Sequence, residues 1–164
     1  MPFHDHPSVR YNPPSEHRVF RIANKTLTQD AMAHVMRELA LDDNRFTKII
    51  EHGGLYLDKT RITDLTMLES HLHTGSVIHV YRFLREPEDI SLKTTDILWH
   101  EQGVIAVNKP AWLPTQGTRV SLRYSLQNVL RIFTGIPTLT AIHRLDRQTS
   151  GVVLFGETAR INLS

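Results

Sequence analysis

Residues 84 to 96, LREPEDISLKTTD, constrain this chain more than any other stretch. They are polar, acidic and interrupted by Pro87, and they separate two segments whose apolar residues recur at regular spacing. A linker there leaves two short segments in a chain of 164 residues, each no larger than a small domain, which excludes a large multidomain enzyme. Hydrophobic residues make up 40% and charged residues 22%, enough for packed cores and too apolar for wholesale disorder. With no cysteine there is no disulfide framework, thiolate nucleophile or cysteine-based zinc site. The opening MPFHDHPSVR lacks an apolar signal core, and no apolar run approaches the ~18 residues of a membrane span. A soluble cytoplasmic protein is the expectation.

Charge is divided along the chain. Residues 27 to 83 carry six Lys/Arg against eight Asp/Glu, whereas residues 103 to 164 carry seven against two, and six of those seven cations are arginine. The guanidinium is planar, always charged and shaped for two-point phosphate contacts and base stacking, so a polyanion is the natural partner of the last segment; a solvated basic face is the plain alternative.

The pattern predicts an irregular arm over residues 1–26, a small α/β module over 27–83, the linker 84–96 and a second domain over 97–164. In the arm, Pro2, Pro7, Pro13 and Pro14 disfavour regular structure up to about residue 18, and Val19 to Ile22 reads as a short strand. His4-Asp5-His6 suggests metal ligation, but nothing nearby completes a coordination shell, and a polar arm is the simpler reading. In the module, Met32, Val35, Met36 and Leu39 fall on one helical face after Thr28 as a candidate N-cap. A second helix fits Asn44 to His52, capped by Asp43 and ended by Gly53. Leu55 to Leu57 and Ser76 to Phe83 read as strands, with Asp58-Lys59 as a turn. Two helices followed by short strands, with GGLYLDKTRI between them and GSVIHVYRF at the end, resemble the small RNA-binding module first known from ribosomal protein S-four. That resemblance implies an RNA face built from Arg45, Lys48, Lys59 and Arg61, although this segment is net acidic.

Beyond the linker, Ile97-Leu98-Trp99 and Gly103 to Val107 read as a β-hairpin delivering Asn108-Lys109-Pro110. Gly117 to Ser121 reads as a loop, Ser125 to Phe133 as one amphipathic helix, and Leu139 to His143 and Val152 to Phe155 as strands flanking a turn-rich RLDRQTSG. In that loop Asp146 has Arg144 and Arg147 as neighbours. Nearby cations favour the ionised carboxylate, suiting it to act as nucleophile or base, and they oppose a bound metal. An Asp-Arg ion pair beside a Thr-Ser-Gly turn is the alternative.

HRLDRQTSGVVLF, preceded by ILWHEQGVIAVNKPAWLPTQGT, resembles the RluA-type family of RNA pseudouridine synthases. The resemblance implies an α+β chain, in which the RNA-binding-like module precedes the first half of a mixed, mainly antiparallel-sheet catalytic domain. It implies Asp146 as the catalytic carboxylate, and Arg144 as the arginine that enters the base stack and holds the target nucleotide outward. His143, Leu145, Thr149, Ser150 and Gly151 match positions that shape the loop, and Asn108, Lys109 and Pro110 match a motif that braces it; Lys109 could instead touch a phosphate. Arg147, His143, Arg45 and Lys48 complete the implied RNA contacts.

Structured tRNA or rRNA is the implied partner. Isomerising uridine breaks its bond from nitrogen to the anomeric carbon and rejoins the base through carbon 5, with no redox change, so no metal or cofactor is implied. One carboxylate could add to the sugar or the base, or remove the ribose 2′ hydrogen. Glycoside hydrolysis, which usually needs two facing carboxylates, fits less well. The family pattern continues for about a hundred residues past Ser164, in keeping with ordinary domain sizes. The expectation is therefore a truncated chain with an incomplete sheet and an exposed apolar edge. A non-catalytic RNA-binding fragment of such an enzyme is the alternative function.

Overall fold

The computed structural model describes residues 13–23, 27–85, 87 and 90–157. The His4-Asp5-His6 triplet, most of the arm, and the segment beyond Glu157 lie outside the described residues. The chain divides into two compact units, the first comprising Ser15–Leu84 with Arg119–Ser121, the second Arg85–Thr118 with the residues from Leu122 onward.

In the first unit, strands β1 (Ser15–Arg21), β2 (Leu55–Leu57), β3 (Thr60–Arg61) and β4 (Val77–Phe83) form an antiparallel sheet in the order β1-β4-β2-β3. Helices α1 (Thr28–Glu38), α2 (Asp43–His52) and α3 (Thr66–His71) supply the other half of its core. Strand alternation sends Leu55, Leu57, Ile78 and Val80 into that core. The helical repeat brings Ala31, Met32 and Val35 of α1, and Phe46 and Ile49 of α2, against them.

Local details differ from the sequence reading. The strand expected to begin at Val19 begins at Ser15, inside the stretch read as irregular, because its ladder with β4 runs from Ser15 opposite Phe83 to Arg21 opposite Val77. Pairing with a strand about sixty residues away in sequence leaves no local signature, and one face of β1 is polar and exposed. Thr28 lies in the first turn of α1 rather than capping it; Leu27 holds the cap position and offers no side-chain bond. For α2 the cap is Asp42, one residue before the expected Asp43, and its carboxylate accepts from the Arg45 amide at 2.8 Å. Gly53 ends α2 in a left-handed conformation at φ 75°, as its position predicts. Helix α3, unanticipated, buries Leu68 completely.

In the second unit, β5 (Ile97–Glu101), β6 (Val104–Lys109), β7 (Leu139–Ala141) and β8 (Gly151–Glu157) form a second antiparallel sheet in the order β5-β6-β8-β7. The end of the expected linker is ordered as a 3₁₀ turn, Thr94–Asp96, with the Asp96 carboxylate accepting from the Lys93 amide at 2.8 Å. The β5–β6 hairpin turns on Gln102 and Gly103, both at positive φ (53° and 78°), the geometry that matches strand twist in a two-residue turn. Helix α4 (Leu126–Thr134) is capped by the Ser125 hydroxyl, which accepts from the Asn128 amide at 3.3 Å. Its Leu126, Val129 and Leu130 are buried, as are Ile105 and Val107 of β6, Leu139 of β7, and Val153 and Phe155 of β8. Strand β7 stops at Ala141, so His143 belongs to the loop rather than to the strand expected to contain it. Both sheets are antiparallel throughout, an α+β arrangement.

Candidate active site

The loop between β7 and β8 holds Asp146, and its foundation is the pairing of β6 with β8. That ladder sets Asn108 opposite Val152 and Lys109 opposite Gly151, so the Asn-Lys-Pro segment leaves the sheet beside the end of the loop. Lys109 is wholly buried, an unusual place for an ammonium, and its three donors are occupied by backbone. Nζ donates to the carbonyls of Pro110 at 2.9 Å, Leu113 at 2.8 Å and Arg147 at 3.2 Å. A left-handed residue, Trp112 at φ 70°, lies in the turn between the first two acceptors. The third acceptor adjoins Asp146. Burial pushes the Lys109 ammonium down to about 8, since removing it from water penalises its charged form, while three carbonyl acceptors favour that form.

A second brace grips the other side of Asp146. The buried Thr115 hydroxyl donates to the Leu145 carbonyl at 2.9 Å and accepts from the Leu145 amide at 3.3 Å, so one side chain satisfies both backbone polar groups of that residue. Thr115 is itself anchored: its carbonyl accepts from the Gln127 amide at 3.0 Å, and the Pro114 carbonyl from the Leu126 amide at 2.9 Å, tying this segment to the first turn of α4. Within the loop, the Thr149 amide donates to the Asp146 carbonyl at 3.0 Å. At its start, His143 Nε2 accepts from the Leu154 amide at 3.1 Å, and the Ile142 amide donates to the Leu154 carbonyl at 2.8 Å. The Asp146 backbone is thus fixed from both flanks while its side chain is exposed.

The remaining loop residues take distinct places. Arg144, Gln148, Thr149 and Ser150 are exposed. The Arg147 guanidinium lies 6.0 Å from the centre of the Trp112 ring, at the outer limit of a cation–π contact, while its carbonyl accepts from Lys109. Gly151 has φ 139°, where side-chain-bearing residues are strained; an added Cβ would meet only the Leu145 side chain at an ordinary 3.5 Å, so the requirement for glycine is in the backbone. Asn108 is exposed and Pro110 half-buried.

The expected RNA-face residues of the first unit lie on α2, in the turn after β2 and on β3. Arg45 is exposed and Lys48 half-buried on α2, Lys59 is exposed in the turn after Asp58, and Arg61 lies against Tyr56 on the sheet face opposite the helices. Among the described residues, no cluster of three His, Asp or Glu side chains is placed to hold a metal ion, and no helix is long and apolar enough to cross a membrane.

Thr115, Leu113 and Trp112 drew no role from the sequence, although they stand in the quoted PAWLPTQGT. Their signal was proximity to Lys109, but which carbonyls converge on an ammonium depends on a turn no pattern announces.

Residues 103–162 match the family model described as RNA pseudouridylate synthase. The match contains both the Asn108–Pro110 segment and the whole Asp146 loop. It supports the pseudouridine synthase family over that stretch, 60 of the chain's 164 residues. No curated protein matches the chain.

Proposed function

We propose that this protein is an RNA pseudouridine synthase of the RluA type, acting on a uridine in structured tRNA or rRNA of the cytoplasm, with Asp146 as its essential carboxylate. The observation that carries the reading is the two-sided brace. Lys109 holds the carbonyl of Arg147, the residue after Asp146, and Thr115 holds the backbone of Leu145, the residue before it, so an exposed carboxylate is presented from a backbone held on both flanks. Preorganisation of this kind is what a positioned nucleophile or base requires, because orientation is set before substrate arrives.

The isomerisation breaks the bond between N1 and the anomeric carbon, turns the base, and forms a bond from carbon 5 to that same carbon; carbon 5 gives up its proton and N1 gains one. The nucleotide must leave the helix to expose both positions, at a cost of a few kcal/mol. Arg144, exposed two residues before Asp146, is the cation we assign to the vacated stack, and Arg147 and His143 lie in the same loop. Asn108, Pro110, Thr149, Ser150 and Gly151 shape the support. The first unit, with three helices and a four-stranded antiparallel sheet, is read as an RNA-binding module of the S-four type, to which Arg45 and Lys48 contribute contacts to the RNA backbone.

The test is tritium release from carbon 5 of tritiated uridine in tRNA and rRNA transcripts, measured with purified protein. Release is expected from the wild type and none from Asp146→Asn, a change that leaves every backbone brace in place. Release that persists in Asp146→Asn removes the aspartate from the chemistry; RNA binding without any release by the wild type identifies a non-catalytic RNA-binding protein.

A further inference from the structure

The helix-free side of the first sheet carries a group of rings that the proposed chemistry does not use. On the ladder, His17 stands opposite Tyr81 and Tyr56 opposite His79, all on the side away from the core. A ring nitrogen of His17 lies 3.1 Å from one of His79, an edge-to-edge hydrogen bond, and the two imidazoles are within 15° of parallel with centres 5.3 Å apart. Rings joined by their edges at that separation form one nearly flat layer. The layer lies on Tyr81, whose ring is 4.0 Å from His17 and within 2° of parallel to it. Tyr56 meets Tyr81 edge-on at 76° and 5.5 Å.

The strand positions of this side carry cations and no carboxylate. Positions facing it from the four strands are Ser15, His17, Val19 and Arg21 on β1, Tyr56 on β2, Arg61 on β3, and Val77, His79, Tyr81 and Phe83 on β4, with no carboxylate among them. The acidic residue of β1, Glu16, points the other way and pairs with Arg82. Arg61 lies over the Tyr56 ring at 5.0 Å, and Arg119, which belongs to this unit, lies over Tyr81 at 5.8 Å. Desolvation, then the neighbouring His79 and Arg119, lower the pKa of the His17 imidazole from its ordinary value.

We propose that the His17–His79 layer on Tyr81 is a stacking platform for an unpaired base of single-stranded RNA, with Arg21 and Arg61 on the same side taking its phosphates. Flat π-surfaces flanked by arginines and free of carboxylates fit a strand whose bases are splayed and whose backbone is anionic. A paired duplex, whose base faces are covered, does not fit. The choice of RNA over another polyanion rests on the proposed function.

The platform is tested by fluorescence anisotropy of the full chain with a labelled short oligouridylate, a duplex of comparable length, and the variants His17→Ala, His17→Phe and Arg21→Gln. Wild type binds the single strand more tightly than the duplex. His17→Ala, an exposed change, weakens binding about fivefold or more, as loss of one stacked base predicts, while His17→Phe, which keeps a ring, stays within about twofold. Arg21→Gln lowers the salt slope by about one. Equal binding of duplex and single strand, His17→Phe falling with His17→Ala, or no oligouridylate binding by the wild type overturns the platform. Tritium release on the same variants keeps the two proposals apart: ring-dependent binding without release removes the enzyme and leaves the platform, and release with ring-independent binding does the reverse.

Discussion

The Lys109 ammonium and the Arg147 carbonyl are joined at 3.2 Å across 38 residues of sequence, so a cation at the end of one strand holds the peptide beside Asp146. The same ammonium holds Pro110 and Leu113, which makes it the point where the Asn-Lys-Pro turn and the loop become one rigid body.

Removing that point should separate catalysis from folding. Lys109→Met keeps the aliphatic stem but leaves three carbonyls without their donor, and unsatisfied buried groups cost about 1–3 kcal/mol each, offset in part because no ammonium is then buried. The expected outcome is a net loss of a few kcal/mol at most, read by thermal melting, with a fall in kcat of about tenfold or more. Lys109→Arg should not restore activity, because a planar guanidinium cannot direct three donors tetrahedrally.

The pH dependence has two opposite arms. Lys109 titrates near 8 in the folded chain against 10.5 when unfolded. Between those values the unfolded chain binds the extra proton, so this group's contribution to stability rises with pH across that window and is constant below it. The brace behaves the other way, because a neutral amine has two donors for three carbonyls. Turnover should therefore fall as pH rises through about 8 while urea-melting stability does not fall with it, and Lys109→Met should lose that alkaline limb.

Thr115→Val replaces the hydroxyl by a methyl group at nearly equal volume and strands both backbone polar groups of Leu145. A stability loss of about 1–3 kcal/mol is expected from urea melts. Thr115→Ser, which keeps the hydroxyl, should recover most of it.

Gly151→Ala tests the backbone alone, because the added methyl group meets only ordinary contact. At φ 139° the strain should cost about 1–3 kcal/mol, with a lowered melting temperature for the second unit.

Helix caps probe each unit by itself. Asp42→Ala and Ser125→Ala each remove a side-chain acceptor from a helix N-terminus and should cost about 1 kcal/mol. Amide exchange should quicken in the first unit for the former and in the second for the latter.

Much of this was legible from the chain alone. The face of α1 was written in the spacing of Met32 and Val35, the end of α2 in Gly53, and the start of α4 in Ser125. These are local signals: periodicity, caps and turns depend on residues a few positions apart, so the sequence states them directly. β1 was legible only in part, because its early half is polar and proline precedes it, and only the ladder to β4 satisfies its backbone.

The brace and the ring layer were decided by tertiary structure. Nothing near Lys109 in sequence indicates that its third donor reaches Arg147, that Thr115 straddles Leu145, or that His17 lies flat on Tyr81. Each contact joins residues 30 or more positions apart, and each depends on strand register: one step of slip between β6 and β8 would move Lys109 from the core to the other face, and the same slip between β1 and β4 would put His17 on the core side. Composition determines which groups are available, and register decides which of them meet.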